Sequence, residues 1–503
     1  ANYNRTVRFN YDMKIKNLIV EGESVMRIAG NYTVEHRTRL GYTGGGRIEY
    51  PNGADAYTLK TGEFVTGRGK NQQDNDFRIT VLTGGINSVE HVFEVQEDIN
   101  LDFNDDGGTF TLDFNTSQVE NNVILKLSGD GNHTFVNGYA EANSTIEFYK
   151  IQMDKGSGQT ATFSFDSDFD LLGSTAGVGI DKAITLQNGT LILNHPDIDI
   201  NLNTGGDDFL IPSTSALVLN AGKANVSGNS GILLDGLLTI NGGQLDMRGG
   251  DNYIEYSASG NAQLDIVADT LFVGSQIRRG LTATEGILKY NQTGGVAIIG
   301  TDDAPENNRG VLEILNAGSE FNLTDGQLII ARAQNNPSIA SLYLDPGSSS
   351  IDADGKILMG YSSTPSNETM GIYSIVDIPY LKIDNSSGQM PTMKQWVVPL
   401  TVTDSLVIEA GAEHNADGRD LYIGGDILVN GTFTPGGNTT YMNGAAQQEI
   451  TGNSTFYNLT KSTATTLALN DDVTVNNVFS MPSGTLVDND NTFSVKGNIN
   501  FGG

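Results

Sequence analysis

The sequence predicts an all-β protein whose chain winds into one long right-handed parallel β-helix, a solenoid. Apolar and polar residues alternate in short bursts, as expected for strands with one buried face. Almost every burst ends at Gly, Asn or Asp, residues that tolerate the positive φ of tight corners. No sustained helical pattern with capping residues separates the bursts, which argues against parallel strands joined by helical crossovers.

Residues 184–250 show the bursts and corners most clearly. Ile184-Thr185-Leu186 is followed by Asn188-Gly189, and Leu237-Leu238-Thr239-Ile240 is followed by Asn241-Gly242-Gly243. Such strands are too short for an ordinary antiparallel sheet, but they fit a chain that turns a corner every few residues. Three strands with their corners make a coil of roughly 20–25 residues, and successive coils stack about 4.8 Å apart.

The composition suits a long array of strands more than several globular domains. Of 503 residues, 61 are Gly and only 12 are Pro, and 38% are hydrophobic. This hydrophobic fraction is slightly low for a globular domain but too high for a disordered chain. Stacked repeats pack only on their neighbours, so one compact core does not limit their total length.

The formal net charge of −31 restricts the partners most strongly. So acidic a chain should repel nucleic acids and anionic membrane surfaces, and we expect neither as a partner. No apolar stretch reaches 18 residues, so we expect no membrane insertion. The chain has no cysteine, which excludes disulfides and thiolate metal sites. This composition, rich in Asn, Thr and Gly, favours a protein secreted by a bacterium.

The regularity of the pattern changes along the chain. Residues 1–180 are less regular, and we expect a β region there that is a β-helix with insertions or a separate domain. Residues 181–503 carry the steadier β-helix repeats. No signal peptide is visible at Ala1 and the last residues stop within the strand pattern, so we interpret the chain as a piece of a longer protein.

Two segments of the regular region, residues 379–429 and 430–503, look like degenerate copies of one repeat. Leu400-Thr401-Val402 matches Val473-Thr474-Val475, and the segment around Gly425 matches the segment around Gly497. The offset between the last two glycines is 72 residues, which equals about three coils of the predicted length.

The second copy contains short motifs in a fixed order. They are Thr432-Phe433-Thr434-Pro435-Gly436, Met442-Asn443-Gly444, Gln448-Glu449-Ile450, Phe456-Tyr457-Asn458-Leu459, Val473-Thr474-Val475, Gly484-Thr485-Leu486 and Val495-Lys496-Gly497-Asn498. This series resembles the repeat of large cell-surface proteins of Bacteroidota. The family is similar to gliding-motility adhesins and other giant proteins exported by the type IX secretion system.

The resemblance implies a secreted, cell-surface location, an adhesive or filamentous role, and contacts with secretion and surface-attachment machinery. The close match covers about residues 430–503, with the degraded copy at 379–429. Two departures matter. The sequence does not show the family's C-terminal sorting domain, and residues 1–180 do not show the repeat.

Rows of aspartate are the candidate metal ligands. Asp166, Asp168 and Asp170 alternate along a predicted strand and would face one side, where their carboxylates could bind calcium. A solvated outward row is the simpler interpretation, and we favour it. Asp105-Asp106-Gly107-Gly108 and Asp302-Asp303 look like turns. No segment matches the known calcium-loop patterns, so we predict no cofactor and no metal ligand, with calcium left open.

A polysaccharide-active enzyme on the same fold is the main alternative. Such a site needs acidic and basic groups together, and Arg27, Arg37 and Arg39 near His36 form the only local mixture. Two carboxylates at a fixed separation would suit glycoside hydrolysis, but 60 acidic residues make chance pairs certain. We expect a surface corner with ion pairs instead, and predict no catalytic residue.

The remaining candidates are the histidines and the one tryptophan. Trp396 could stack on a sugar ring, although a partly buried position beside a strand is the simpler interpretation. The histidines are too far apart in sequence for metal-ligand spacing; they are His36, His91, His133, His195 and His414.

Together these features predict a structural or adhesive surface protein and not an enzyme. Its broad outward faces would contact external surfaces or polysaccharide, and self-association into filaments is left open. The alternatives are the polysaccharide-active β-helix enzyme, a lyase or glycoside hydrolase, and a carbohydrate-binding module. A groove lined by Asp, Arg and Tyr together with cleavage of acidic polysaccharide would favour the enzyme.

Overall fold

The computed structural model describes residues 5–22, 24–41, 45–67, 74–82, 89–101, 109–114, 122–138, 144–171, 183–203, 207–257, 262–305 and 307–502. Within these ranges the protein is all-β, with no helix. The chain divides into two compact units, Ala1–Asp246 and Met247–Gly503, each of which is described by itself. The predicted turn Asp105-Asp106-Gly107-Gly108 lies outside the described residues.

The strands of the first unit are short. They are β1 (Thr6–Arg8), β2 (Met13–Val20), β3 (Val25–Arg27), β4 (Tyr32–Leu40), β5 (Arg47–Tyr50), β6 (Thr58–Thr66), β7 (Asp74–Val81), β8 (His91–Val95), β9 (Ile99–Leu101), β10 (Thr109–Asp113), β11 (Val123–Leu127), β12 (His133–Asn137), β13 (Ser144–Phe148), β14 (Lys150–Asp154), β15 (Thr162–Phe165), β16 (Asp170–Leu171), β17 (Ile184–Leu193), β18 (Asp199–Asn203), β19 (Phe209–Ile211), β20 (Ser215–Leu219), β21 (Lys223–Val226), β22 (Ile232–Leu234), β23 (Leu237–Asn241) and β24 (Gln244–Met247).

The second unit contains three longer strands among short ones. They are β25 (Ile254–Tyr256), β26 (Ala262–Ala268), β27 (Thr270–Val273), β28 (Ile277–Arg279), β29 (Leu288–Ile299), β30 (Leu312–Ile330), β31 (Leu342–Met359), β32 (Thr369–Ser374), β33 (Ile378–Ile383), β34 (Thr392–Gln395), β35 (Leu400–Ile408), β36 (Glu413–Asn415), β37 (Leu421–Ile423), β38 (Ile427–Val429), β39 (Thr432–Thr434), β40 (Thr439–Met442), β41 (Gln448–Thr451), β42 (Ser454–Lys461), β43 (Thr466–Leu469), β44 (Val473–Met481), β45 (Thr485–Val487), β46 (Phe493–Val495) and β47 (Asn498–Phe501).

All the described pairings in the first unit are parallel, and they arrange its strands in columns, that is, sets of strands that pair successively side by side. One column runs β1, β3, β5, β7, β10, β13 and β16. A second runs β2, β4, β6, β8, β11, β14 and β17. A third runs β6, β9, β12, β15 and β17, so β6 and β17 bend and serve two columns.

Aromatic side chains fill much of the interior of the first unit. Phe135 and Phe148 have ring centroids 5.8 Å apart, and Phe165 and Phe169 lie 4.5 Å apart. All four are buried. Aromatic pairs at such distances stabilise a fold by about 0.5–1.5 kcal/mol beyond the burial of their apolar area. The period-2 alternation of the sequence therefore places these rings inside and their polar neighbours outside.

Three columns also recur in the second unit. From β33 onward they are β35-β37-β40-β42-β44-β47, β33-β35-β38-β41-β43-β45, and β34-β36-β39 with β42-β44-β46. One row of paired residues is Leu400, Leu421, Thr440, Leu459, Phe479 and Ile499. The first five are buried. Each buried apolar side chain in such a ladder contributes roughly 1.5–3 kcal/mol.

The predicted coil length of 20–25 residues holds only where the connections are short. Leu400 and Leu421 pair across 21 residues, whereas Leu312 and Leu342 pair across 30. This larger spacing spans the long strand β30, of 19 residues, and the connection of residues 331–341 that follows it. Coil length in this part of the chain is therefore set by longer strands and longer connections together.

The prediction that the 72-residue offset between the two sequence copies equals about three coils is wrong. Leu421, in the first copy, lies in the column that continues through Thr440, Leu459 and Phe479. Its sequence counterpart Phe493 lies in β46, which pairs with the first half of β44 and belongs to another column. The two copies are thus out of phase with the strand pairing, because coils of 19 to 21 residues do not divide the offset evenly.

Candidate functional site

One column of the second unit carries an outward row of side chains that changes from charged to aromatic. The column consists of β25, β28, β30, β31, β32 and β34. In its register Glu313 lies beside Tyr343, and Tyr343 lies beside Tyr373. Trp396 directly follows β34, and its backbone N–H donates to the carbonyl of Ile372, so the row continues to the tryptophan.

Tyr343, Tyr373 and Trp396 form a compact group, which we call the aromatic cluster. The two tyrosine ring centroids are 4.4 Å apart, and each lies 6.1 Å from the indole. All three residues are partly buried. Burial raises the pKa of both tyrosine hydroxyls above the ordinary 10.0, so both remain protonated and neutral at neutral pH.

Two exposed aliphatic residues follow members of the aromatic cluster closely in the chain. Ile375 is 54% exposed and Val397 is 52% exposed. Val397 also has φ of 67°, in the left-handed region. A β-branched residue is strained in this conformation, and such strain persists only where the surrounding structure enforces it. The backbone immediately after Trp396 is therefore held against its own preference, with an apolar side chain turned to solvent.

The charged end of the row is a buried ion cluster formed by Arg279, Arg309 and Glu313. Glu313 Oε1 accepts hydrogen bonds of 3.0 Å from both the backbone N–H and the Nε of Arg279. Arg309 Nε lies 3.8 Å from the same oxygen. The Glu313 side chain is only 2% exposed. Arg309 Nη2 also donates to the carbonyls of Gly280, Leu281 and Ala283, which ties the connection after β28 to this face.

A second ion pair extends the charged end of the row. Arg278 Nη2 donates to Glu255 Oε2 at 3.1 Å, and its Nη1 donates to Gln276 Oε1 at 3.0 Å. The guanidinium lies 3.8 Å from the ring centroid of Tyr253, within cation–π range. These contacts link β25 and β28, which precede the strands of the aromatic cluster in the same column.

The predicted basic mixture is only partly assembled. Arg37 and Arg39 both lie in β4 and border a hollow of about 320 Å³ that Asn100 also lines. Arg37 is paired with Glu63, with 2.6 Å between Nη2 and Oε2. Arg27 lies in β3, in a different column, and pairs with Glu49. The structure therefore does not bring the three arginines to one cleft.

The predicted aspartate row does not lie on a single strand. β15 ends at Phe165 and β16 begins at Asp170, so Asp166 and Asp168 occupy the connection. Asp166 Oδ1 accepts from Ser164 and Asn194, and burial raises the pKa of Asp168. No group of three or more acidic or His side chains able to hold a metal occurs in the part of the chain that the structure describes. The prediction of no metal ligand and no cofactor, with calcium left open, stays untested.

The histidines are dispersed, and two of them are interior residues. His91 Nδ1 accepts from the backbone N–H of Tyr57, and burial lowers the pKa of this imidazole. His414 is fully buried in β36, with its ring 5.3 Å from that of Phe433. Its Nε2 lies 3.1 Å from Gln395 Oε1, and since the amide of Gln395 donates to Asp420, that oxygen is the acceptor.

Two lysines also face inward. Lys155 Nζ donates to the carbonyls of Gln96 and Ser128, and burial lowers the pKa of this amine to about 8. Lys461 Nζ donates to Gln448 Oε1 and to the hydroxyls of Thr463 and Thr465. Both ammonium groups donate hydrogen bonds to neutral oxygens from other parts of their units, which favours a structural role.

Acidification should destabilise the second unit through His414. Burial lowers the pKa of this imidazole from 6.5 to about 3, so the folded state keeps it neutral while the unfolded chain protonates below pH 6.5. The stability contribution is full above pH 6.5 and falls as the pH decreases towards 3, by roughly 3 kcal/mol at pH 4. Between pH 7 and pH 4, the urea midpoint of unfolding should fall less steeply for His414→Gln than for the parent chain. If the midpoints of both proteins fell equally with pH, His414 would not be the cause.

Sequence reasoning identified Trp396 but not its partners. Tyr343 and Tyr373 lie far upstream, and only the strand register brings them beside the indole. The ion cluster was also missed, because Arg279 and Glu313 are 34 residues apart. The long strands and connections in this part of the chain leave no fixed period in the sequence that would have aligned these residues.

The fold and its outward rows define the class of this protein as an all-β protein built from columns of parallel strands. Comparisons with protein-family models, with curated proteins and with solved structures found no match for this chain. None of the described segments is a helix long and apolar enough to cross a membrane.

Proposed function

We propose that this chain is a right-handed parallel β-helix and serves as a structural and adhesive segment of a long bacterial cell-surface protein. The observation that carries the proposal is that, within each unit, the chain passes repeatedly through three columns of parallel strands. In a chain that visits three columns in constant order, the outward rows repeat with every coil. Such rows offer broad contact surfaces in place of a deep pocket.

The outward faces support contact with external material. The aromatic cluster places two phenols and an indole on one face, and aromatic side chains combine apolar area with a polar edge suited to wet interfaces. The net charge of −31 keeps so large a β surface soluble and disfavours nucleic acid and anionic membranes as partners. External surfaces and polysaccharide are the partners that this chemistry favours.

The resemblance of residues 430–503 to repeats of Bacteroidota surface proteins supports the location. On this basis we place the protein at the cell surface, exported by the type IX secretion system, with contacts to its secretion and attachment machinery. A structural role is preferred to a polysaccharide-cleaving one because the arginines of the predicted basic mixture are already engaged. Arg27 and Arg37 each have a carboxylate partner, in two different columns.

Two measurements test the proposed function. Beads coated with the purified chain should be retained on glass and on polysaccharide-coated surfaces under flow, and beads coated with albumin should wash off. In the producing bacterium, antibodies to the chain should label intact cells, and external protease should remove that label. Beads that are never retained, or label that appears only after cell lysis, would contradict the proposal.

A further inference from the structure

We propose that the aromatic cluster of Tyr343, Tyr373 and Trp396 is a binding site for neutral polysaccharides made of hexopyranose rings. This inference rests on the proposed function and deepens it by naming the ligand class of one outward face. A pyranose ring has a face of C–H groups that packs on aromatic rings and an edge of hydroxyls that binds polar groups. The cluster offers both kinds of partner.

The geometry of the cluster fits one or two sugar rings. Centroid distances of 4.4 Å and 6.1 Å keep the three rings within one compact patch, and no long aromatic strip is formed. The phenol hydroxyls of Tyr343 and Tyr373 stay protonated at neutral pH and can donate as well as accept hydrogen bonds. Binding by so small a patch should be weak, so a surface protein would gain retention through many copies or many sites.

The strained residue beside the tryptophan is an independent sign of a binding site. Val397 has φ of 67° and is 52% exposed, although folding normally avoids both features in a β-branched apolar residue. Strained backbone occurs preferentially at ligand-binding positions. Ile375, 54% exposed, follows Tyr373 by two residues and adds a further apolar side chain at the surface.

The charges around the cluster select a neutral ligand. Asp345 interacts with both tyrosines and contributes negative charge beside them. The nearby Arg279 is already bound to Glu313 Oε1 and to the carbonyl of Thr284. Lys394, close to Trp396 in sequence, is paired with Asp417 at 3.3 Å. With a net charge of −31 on the whole chain, uronate or sulfated polymers would be repelled.

The single tryptophan makes the test direct, because all indole fluorescence of the chain comes from Trp396. Titration of the full chain with soluble galactomannan should change the Trp396 emission saturably. Alginate, an anionic polymer, should have no effect at the same mass concentration. Tyr373→Ala, which keeps the reporter, should weaken galactomannan binding at least tenfold.

A matched control is an outward pair of tyrosines elsewhere in the second unit. Tyr422 and Tyr441 have parallel rings with centroids 4.7 Å apart, in a different column. Tyr422→Ala should therefore leave galactomannan binding unchanged, and thermal unfolding should show that both variants remain folded. Affinity electrophoresis in galactomannan gels provides a second readout that does not depend on fluorescence.

The outcomes separate this inference from the function on which it rests. No binding of galactomannan, equal loss in both tyrosine variants, or preference for alginate would each overturn the neutral-sugar site. If beads coated with the chain still adhere to glass, the adhesive function survives that result. If the beads fail to adhere while Trp396 fluorescence still reports galactomannan binding, the result supports the sugar site and contradicts the adhesive function.

Discussion

Replacing Glu313 by alanine should destabilise the second unit by roughly 3–5 kcal/mol. The substitution removes a carboxylate that is 2% exposed and leaves the guanidinium groups of Arg279 and Arg309, which are 13% and 12% exposed, without their anionic partner. Removing one member of a buried ion pair is costly because the remaining charge stays desolvated. The free energy of unfolding from urea titration measures the effect.

A surface ion pair in the same unit is the control. Glu320 lies 3.1 Å from Lys289, with 35% and 45% of their side chains exposed. Glu320→Ala should change stability by less than about 1 kcal/mol, since solvent screens such pairs. If the two variants lowered the free energy of unfolding by similar amounts, the buried ion cluster around Glu313 would not stabilise this face as proposed.

Gly425→Ala should cost the second unit roughly 1–3 kcal/mol, and Gly425→Val more. A Cβ at Gly425 would lie 1.9 Å from the carbonyl oxygen of Asp404, which belongs to the preceding coil. Because the Cβ would be fixed to the backbone of Gly425 and the oxygen belongs to the backbone of Asp404, no side-chain rotation can relieve the clash. The two stacked corners would have to move apart. Thermal unfolding of the variants measures this directly.

Gly158 provides the contrasting case. A Cβ there meets nothing within 4 Å, and its φ lies outside the left-handed range. Gly158→Ala should leave the melting temperature within a few degrees of the parent or raise it slightly, because alanine restricts the unfolded chain. If Gly158→Ala and Gly425→Ala lowered the melting temperature equally, close packing at the corners would not limit the distance between coils.

The sequence was sufficient for the all-β class and for the inward side chains, for a physical reason. Alternation with period 2 reports burial directly, so residues such as Leu421 and Phe479 could be placed inside from pattern alone. Polar interior residues could not be recognised in this way. His414 and Lys461 look like surface residues in sequence, and only their neighbours in adjacent coils satisfy them.

The pairing register was harder to predict, because it depends on connections that carry little pattern. The 72-residue match suggested an offset of whole coils, yet the strand pairing places Leu421 and Phe493 in different columns. In the candidate site, connections such as residues 331–341 separate Tyr343 from the strands it pairs with. Sequence therefore indicated Trp396 alone, and only the strand pairing shows that Tyr343 and Tyr373 lie beside it.

A cysteine cross-linking experiment tests the parallel, in-register pairing on which the β-helix and its outward rows depend. The chain has no cysteine, so two introduced thiols are the only ones present. Tyr422 and Tyr441 are paired and face outward together, whereas Met442 is buried. Peptide mass analysis after mild oxidation should find a disulfide in the Tyr422→Cys, Tyr441→Cys variant and none in Tyr422→Cys, Met442→Cys. The reverse result would contradict the parallel columns and every surface row derived from them.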